Sequence, residues 1–350
     1  MDCLCCSDCC SGGGVGPPSD TEFLGSICSL KDNTGAFVKF PAEPGRYTMY
    51  VIAGCPFAAR PWVVMGFYGL ADPSIIPTVK LFPASFEDGW FFEPKSEGEH
   101  SLVQAFPTAQ VDKDPHHGAH HLSELYYHAK KDFKGAISVP LLWDSKEDTA
   151  VSNSSMGLAE MIATQMRSMA TRNKDIMLFP CCSGEPELYK EHNELCKMLH
   201  RRITTAVYTM NSTKDGAEHD KLVDNYYAAL DEMEERLQNQ QYLMGDQIRF
   251  ADLLLFISLV RLDLAYQWRF GLGRKNVREN YPALAKYQKT IMAIPGIVET
   301  ILPRDIMALY FMTLKWTNAG AGRTLPQVPE AWQECFACSN QAFETWNVAY

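Results

Sequence analysis

Apolar and polar positions fall into two regimes along this chain. Up to about residue 157, short apolar runs alternate with turn residues, whereas beyond it apolar residues recur three and four positions apart between Gly and Pro breaks. In the first regime, residues 47–52 (Tyr-Thr-Met-Tyr-Val-Ile) are aromatic and β-branched and predict a buried strand, which turns at Ala53-Gly54. A helix is expected to open at Cys55-Pro56, since proline's fixed φ suits the first helical position. Residues 74–82 predict a second strand, 122–133 a helix that Gly135 stops, and 137–143 and 149–151 two more strands. A further helix opens at Ser154-Ser155 and runs to about residue 170. The long span 83–118 reads as irregular, which is uncommon in a compact domain unless it serves function. In the second regime, helices are predicted at 185–206, 220–239, 250–270, 281–293 and 305–313. The expected fold class is α/β followed by all-α.

Composition narrows the function. With 350 residues and 46% hydrophobic content, the chain can bury the cores of two domains. A net charge of -10 gives no support for nucleic-acid binding. No apolar run reaches the ~18 residues of a membrane span, and the start lacks the pattern of a secretory signal, so a cytoplasmic setting with reduced thiols is expected for the 12 cysteines. The tail at 1–18 carries Cys3, Cys5, Cys6, Cys9 and Cys10 before a Gly/Pro-rich run. Three readings stand: a disordered tail without a role, an S-acylated membrane anchor, and a metal site. Asp2 excludes N-myristoylation, so anchoring would rest on several acyl chains. Cys335-x-x-Cys338 lacks the second pair of a zinc site and belongs to a C-terminal tail.

The candidate chemistry centres on Cys55. A thiol at a helix N-terminus faces unpaired N–H groups and the positive end of the dipole, which can lower its pKa from ~8.5 into the range ~3.5–7.5. A small buried cysteine is the alternative. A thioredoxin-like unit needs a βαβ start and a later hairpin whose first strand follows a proline, and Val139-Pro140 before Leu-Leu-Trp supplies it. An X-Pro bond is held cis at only ~0.5–1 kcal/mol, so Val139 can turn its backbone groups toward a peptide ligand. Position 58 is Ala, so no Cys-x-x-Cys pair exists here and a resolving thiol must come from outside the motif. His117 with His121, and His116 with His120, have i, i+4 spacing. No carboxylate lies between them in a metalloprotease pattern, and a solvated His run is preferred to a metal site.

Taken together, Cys55-Pro56-Phe57-Ala58 with Arg60, Gly89-Trp90 with Phe92, Leu125-Tyr126, Val139-Pro140 through Trp143-Asp144, and Asn153 with Ser155 resemble the glutathionyl-hydroquinone reductases, the xi class of glutathione transferases. The match continues in order through Ala206-Val207-Tyr208, Ile248 to Asp252, Leu259 to Asp263 with Tyr266, and Pro295-Gly296-Ile297. Phe57, where that family usually has Trp, is closer to the neighbouring omega class. The resemblance implies a thioredoxin-like glutathione-binding domain at 46–157, an all-helical glutathione-transferase domain at 158–316, and tails at 1–45 and 317–350. It implies glutathione as co-substrate, no metal, aromatic hydroquinone or quinone conjugates as partners, and a homodimer. By position it gives Cys55 as nucleophile and Tyr208 and Tyr310 as phenols beside the aromatic product, with Tyr266 a third candidate there. Trp90, Val139, Pro140, Ser154 and Ser155 fall at glutathione-contacting positions. Ser154 stands where the family has the Glu that meets the γ-glutamyl amine, so weak glutathione affinity is expected. Met210-Asn211-Ser212 replaces a Gly-Phe-Ala segment, so the local loop there is expected to differ. The implied activity is reduction of S-glutathionyl-hydroquinones. The alternatives are an omega-like thioltransferase or dehydroascorbate reductase and a non-catalytic binder of hydrophobic ligands.

Overall fold

The computed structural model describes residues 40–313 except 86–88 and 182–183. The cysteine-rich start and the C-terminal tail lie outside them. Strand β1 (Tyr47–Val51) is buried along its whole length, as a central strand must be. Helix α1 (Pro56–Tyr68) begins with Pro56 and stops at Gly69, whose φ of 68° suits a left-handed cap. Next come β2 (Thr78–Lys80), α2 (Glu97–Ala105), α3 (Leu122–Ala129), β3 (Leu141–Asp144), β4 (Thr149–Ser152) and α4 (Ser155–Thr164). The sheet order is β2-β1-β3-β4, with β1 parallel to β2 and antiparallel to β3, and β3 antiparallel to β4. Tyr50 pairs with Leu141 and Tyr47 with Asp144. That register puts Val139-Pro140 at the Cys55 end of the sheet and the β3–β4 hairpin at the other end.

The rest is helical. It comprises α5 (Pro186–Leu199), α6 (Ala206–Ser212), α7 (Gly216–Leu237), α8 (Phe250–Arg261), α9 (Val277–Asn280), α10 (Pro282–Met292) and α11 (Pro303–Met312), with a last turn Gln267–Arg269 after α8. Two stretches that periodicity reads as single helices are interrupted by π turns, His200–Thr204 between α5 and α6 and Leu262–Tyr266 after α8. A π turn inserts one residue and re-aims the side chains that follow. Those side chains include Tyr208 and Tyr266. The span 83–118, read as irregular, holds α2, started by a capping box in which Ser96 accepts from the Glu99 N–H and the Glu99 carboxylate accepts from the Ser96 N–H. The predicted strands 74–82 and 137–143 shorten to β2 and β3, and the helix 122–133 ends at Ala129.

Helix α1 is packed between α4 on the sheet side and α8 of the helical part. It meets the helical part backbone to backbone at Gly66 and Gly296. A Cβ on Gly66 would lie 2.2 Å from the Gly296 oxygen, and Gly296 has a φ of 91°. No side chain fits at that crossing. At the start of α8, Asp252 accepts from the N–H groups of Arg249 and Leu243 and from the Tyr287 hydroxyl, which makes it a buried cap. Among the described residues no helix is long and apolar enough to cross a membrane.

Candidate active site

Cys55 occupies the N-cap position of α1 in extended conformation and is half-buried. Its N–H donates to the Ile52 carbonyl at 2.9 Å, which closes the turn between strand and helix. Helix start and charge act on the sulfur as the sequence leads one to expect, but they do not win. Burial pushes the thiol above its ordinary range, and the N–H groups of Ala58 and Phe57 and the guanidinium groups of Arg261 and Arg60 offset this only in part. The thiol is therefore the resting form, which corrects the expectation of a lowered pKa.

Both arginines are buried; Arg261 holds the site's backbone and Arg60 its side chains. Arg261, at the end of α8, donates from Nε to the Gly54 carbonyl at 3.0 Å and from Nη1 to the Ile257 carbonyl at 3.0 Å. Gly54 itself is pressed against the start of α11, since a Cβ there would lie 2.6 Å from the Asp305 carbonyl oxygen. Arg60 donates to the Ser155 hydroxyl at 2.7 Å and to His200 Nδ1 at 2.9 Å, and its guanidinium lies 4.7 Å from the Phe57 ring centroid. One cation thus joins α1, the start of α4 and the first π turn.

Beside Cys55 stand the three expected phenols. Tyr208 and Tyr310 hydroxyls are 2.9 Å apart, and Tyr266 and Tyr310 hydroxyls 3.2 Å apart, so Tyr310 is the middle of a hydrogen-bonded chain. Phe57 stacks on Tyr208 with centroids 5.9 Å apart, and Phe270 packs edge-on or tilted against all three tyrosines at 5.3–5.9 Å. Burial pushes all three phenols up, with a further upward push on Tyr208 and Tyr266 from the nearby Cys55 sulfur. They keep their protons near neutral pH and act as neutral hydrogen-bond donors.

The remaining expected residues lie around the Cys55 end of the sheet. The Val139-Pro140 bond is cis. Its loop is held from below, where the Tyr126 hydroxyl donates to the Ser138 carbonyl at 2.7 Å and Asn153 Nδ2 to the Ser138 hydroxyl at 3.2 Å. Ser154 is the N-cap of α4, its hydroxyl accepting from the Gly157 N–H at 3.3 Å. Ser155 follows as the first helical residue. Trp90 is half-buried, and its carbonyl accepts from the Leu122 N–H at 2.9 Å. Sequence reasoning passed over Arg60, Arg261 and Phe270 as site residues. The one local signal was the apolar run on both sides of Arg60 and before Arg261, in which a lone arginine is out of pattern; Phe270 had none, since Gln267 and Arg269 stand beside it.

The chain is similar to several known proteins in sequence and fold. Residues 196–295 match the family described as glutathione S-transferase, C-terminal domain. The chain is 30% identical over 285 residues to the glutathionyl-hydroquinone reductase YqjG of Escherichia coli, covering 81% of this chain and 79% of that protein. It is 25% identical over 295 residues to the glutathionyl-hydroquinone reductase PcpF of Sphingobium chlorophenolicum, covering 83% and 87%. Among solved structures, it is similar to glutathione transferase Xi 1 from Trametes versicolor, with TM-score 0.73, 27% identity, and 87% of this chain and 97% of that one covered. It is also similar to the glutathione-bound structure of YqjG from Escherichia coli, with TM-score 0.69, 28% identity and coverage of 81% and 84%.

Proposed function

The chain belongs to the glutathionyl-hydroquinone reductase family, the xi class of glutathione transferases, and on that premise we propose that it reduces S-glutathionyl-hydroquinones through Cys55. It is a glutathione-dependent enzyme with a thioredoxin-like domain and an all-helical transferase domain. The Cys55 thiol loses its proton, and the thiolate attacks the sulfur of the conjugate. A Cys55–glutathione disulfide forms as the bond from sulfur to the ring breaks, and the ring takes a proton and leaves as the hydroquinone. The thiolate of a second glutathione then attacks the mixed disulfide, which returns Cys55 and yields glutathione disulfide. Across the cycle, the ring carbon is reduced by two electrons as its bond to sulfur becomes a bond to hydrogen, and the conjugate's own sulfur and that of the second glutathione are each oxidised by one to give the disulfide.

The observation that carries this reading is the chain of three neutral phenols next to the only cysteine of the motif. A plain disulfide exchange expels a thiolate that needs little help, whereas expulsion of an aryl group builds charge on the ring and its oxygens. Preorganised donors beside the sulfur lower that barrier. Arg261 and Arg60 favour the thiolate against the burial that opposes it. Glutathione would lie along Trp90, the Val139-Pro140 loop and the N-terminus of α4, where Ser154 and Ser155 meet the γ-glutamyl end. The same reading sets the enzyme in the cytoplasm as a homodimer, which light scattering on the purified chain would check.

Phe57 favours an omega-like thioltransferase as the second reading. The two separate in an assay with glutathione and either a glutathionyl-hydroquinone or a small mixed disulfide. Release of free hydroquinone supports the proposal; turnover of the disulfide alone supports the second reading, and turnover of neither leaves a ligand-binding protein.

A prediction follows for the γ-glutamyl subsite. Ser154 caps α4 with a hydroxyl and offers no charge to an ammonium group. Ser154→Glu is expected to tighten glutathione binding by ~1 kcal/mol or more, the scale of a charge-assisted hydrogen bond, in titration calorimetry. Unchanged or weaker binding by the variant would mean that another group already meets the amine.

A further inference from the structure

At the end of the sheet away from Cys55, three segments bring together a second group of reactive side chains. His117 lies in the turn before α3, His128 in the last turn of α3, and Asp148 in the β3–β4 hairpin. Their ligating atoms all lie within 4.8 Å of one another. His117 Nε2 is 3.0 Å from Asp148 Oδ1, and His128 Nε2 is 2.9 Å from Asp148 Oδ2. The two imidazole centroids are 4.1 Å apart, and both rings rest on Trp143 at 5.4 and 5.8 Å. Trp143 is fully buried, so it forms a fixed floor beneath them. Asp148 has a φ of 50°, a left-handed conformation that Asp tolerates, and this turns the carboxylate at the hairpin tip toward the two rings.

We propose that His117, His128 and Asp148 form a binding site for one divalent transition-metal ion of the zinc class. Two imidazoles and a carboxylate are borderline donors that suit zinc, nickel and copper, whereas magnesium and calcium favour all-oxygen sets. A tetrahedral ion with bonds of ~2.0–2.1 Å holds its ligand atoms about 3.3 Å apart. The two His–Asp separations are a few tenths of an ångström shorter, but each runs to a different carboxylate oxygen and the three ligating atoms lie within 4.8 Å of one another, so the side chains shift toward one shared centre as the ion enters. The side chains remain 26%, 42% and 53% exposed for His117, His128 and Asp148, so an ion can enter and water can complete its coordination. Bound there, the ion ties a turn, a helix end and a hairpin together, an arrangement that the unfolded chain lacks, and so it stabilises the folded state.

The i, i+4 pairs visible in the sequence are not the ones the fold makes. His121 turns inward, its Nε2 2.7 Å from the buried Glu99 carboxylate, and His116 Nε2 is 2.9 Å from the Thr48 hydroxyl. His117 meets His128 instead.

The test uses the full chain with its thiols alkylated, so that cysteines do not take up the metal, titrated with Zn²⁺ by calorimetry and followed by thermal melting. His128→Gln and Asp148→Asn are compared with it; both keep polar side chains, and Asn suits the positive φ at 148. The expected result is one equivalent of Zn²⁺ bound, a melting temperature that rises with Zn²⁺ concentration, and at least about a tenfold loss of affinity in each variant. With Cu²⁺, the paramagnetic resonance spectrum is expected to show coupling to two imidazole nitrogens, and to one in His128→Gln. Equal affinity in all three proteins, or no binding by the parent chain, would overturn the proposal and leave a hydrogen-bonded His-Asp-His cluster only.

Discussion

Cys55→Ser is expected to abolish turnover on every substrate, with a loss on the order of 10⁴-fold or more, the scale seen when a covalent nucleophile is removed. The hydroxyl is nearly the same size, and the N-cap position welcomes Ser, so the fold should persist. What disappears is the chemistry. A serine hydroxyl has a far higher pKa than a thiol and cannot form a mixed disulfide, and position 58 is Ala, so no neighbouring thiol can take over. Steady-state rates on a glutathionyl-hydroquinone and on a small mixed disulfide, beside a thermal melt, check this. Full hydroquinone release by a folded variant would remove Cys55 from the mechanism.

Tyr208→Phe and Tyr310→Phe are expected to fail differently. Each keeps its ring against Phe57 or Phe270 and loses only a hydroxyl. Cys55 should therefore still react with a small disulfide, while hydroquinone release falls by about 10²-fold per positioned donor. Tyr310→Phe should be the more damaging, because its hydroxyl bonds to both Tyr208 and Tyr266, whereas Tyr208→Phe leaves the second bond intact. The same pair of rates on each variant separates the cases. Equal loss on both substrates would make the tyrosines structural supports.

How far the sequence already carried this account varies with the range of each interaction. The first strand and the Cys55-Pro56 helix start were legible because each is decided within a few residues. The capping box at Ser96 and Glu99 is equally local, but α2 has a weak apolar pattern and its span read as loop. The π turns left no trace, since apolar residues continue through Leu262–Tyr266 at helical spacing and one inserted residue does not disturb the pattern. Arg60 and Arg261 were hidden for another reason. An arginine in sequence reads as surface, and the partners that bury these two, Ser155 and Gly54, are 95 and 207 positions away. The thiol's raised pKa was out of reach too, because burial is a sum over tertiary neighbours. Tyr208, Tyr266 and Tyr310 came from family resemblance, and the fold brings them within hydrogen-bond distance of one another.

The central claim is that the conjugate's glutathionyl group passes to the Cys55 sulfur as the hydroquinone leaves. The most direct measurement is a single turnover with the conjugate and no free glutathione, quenched in acid and read by intact mass and peptide mapping. The account predicts one glutathionyl adduct per chain, located on Cys55, with one equivalent of hydroquinone released and full reversal on adding glutathione. Hydroquinone release with Cys55 unmodified, or an adduct confined to another cysteine, would contradict it.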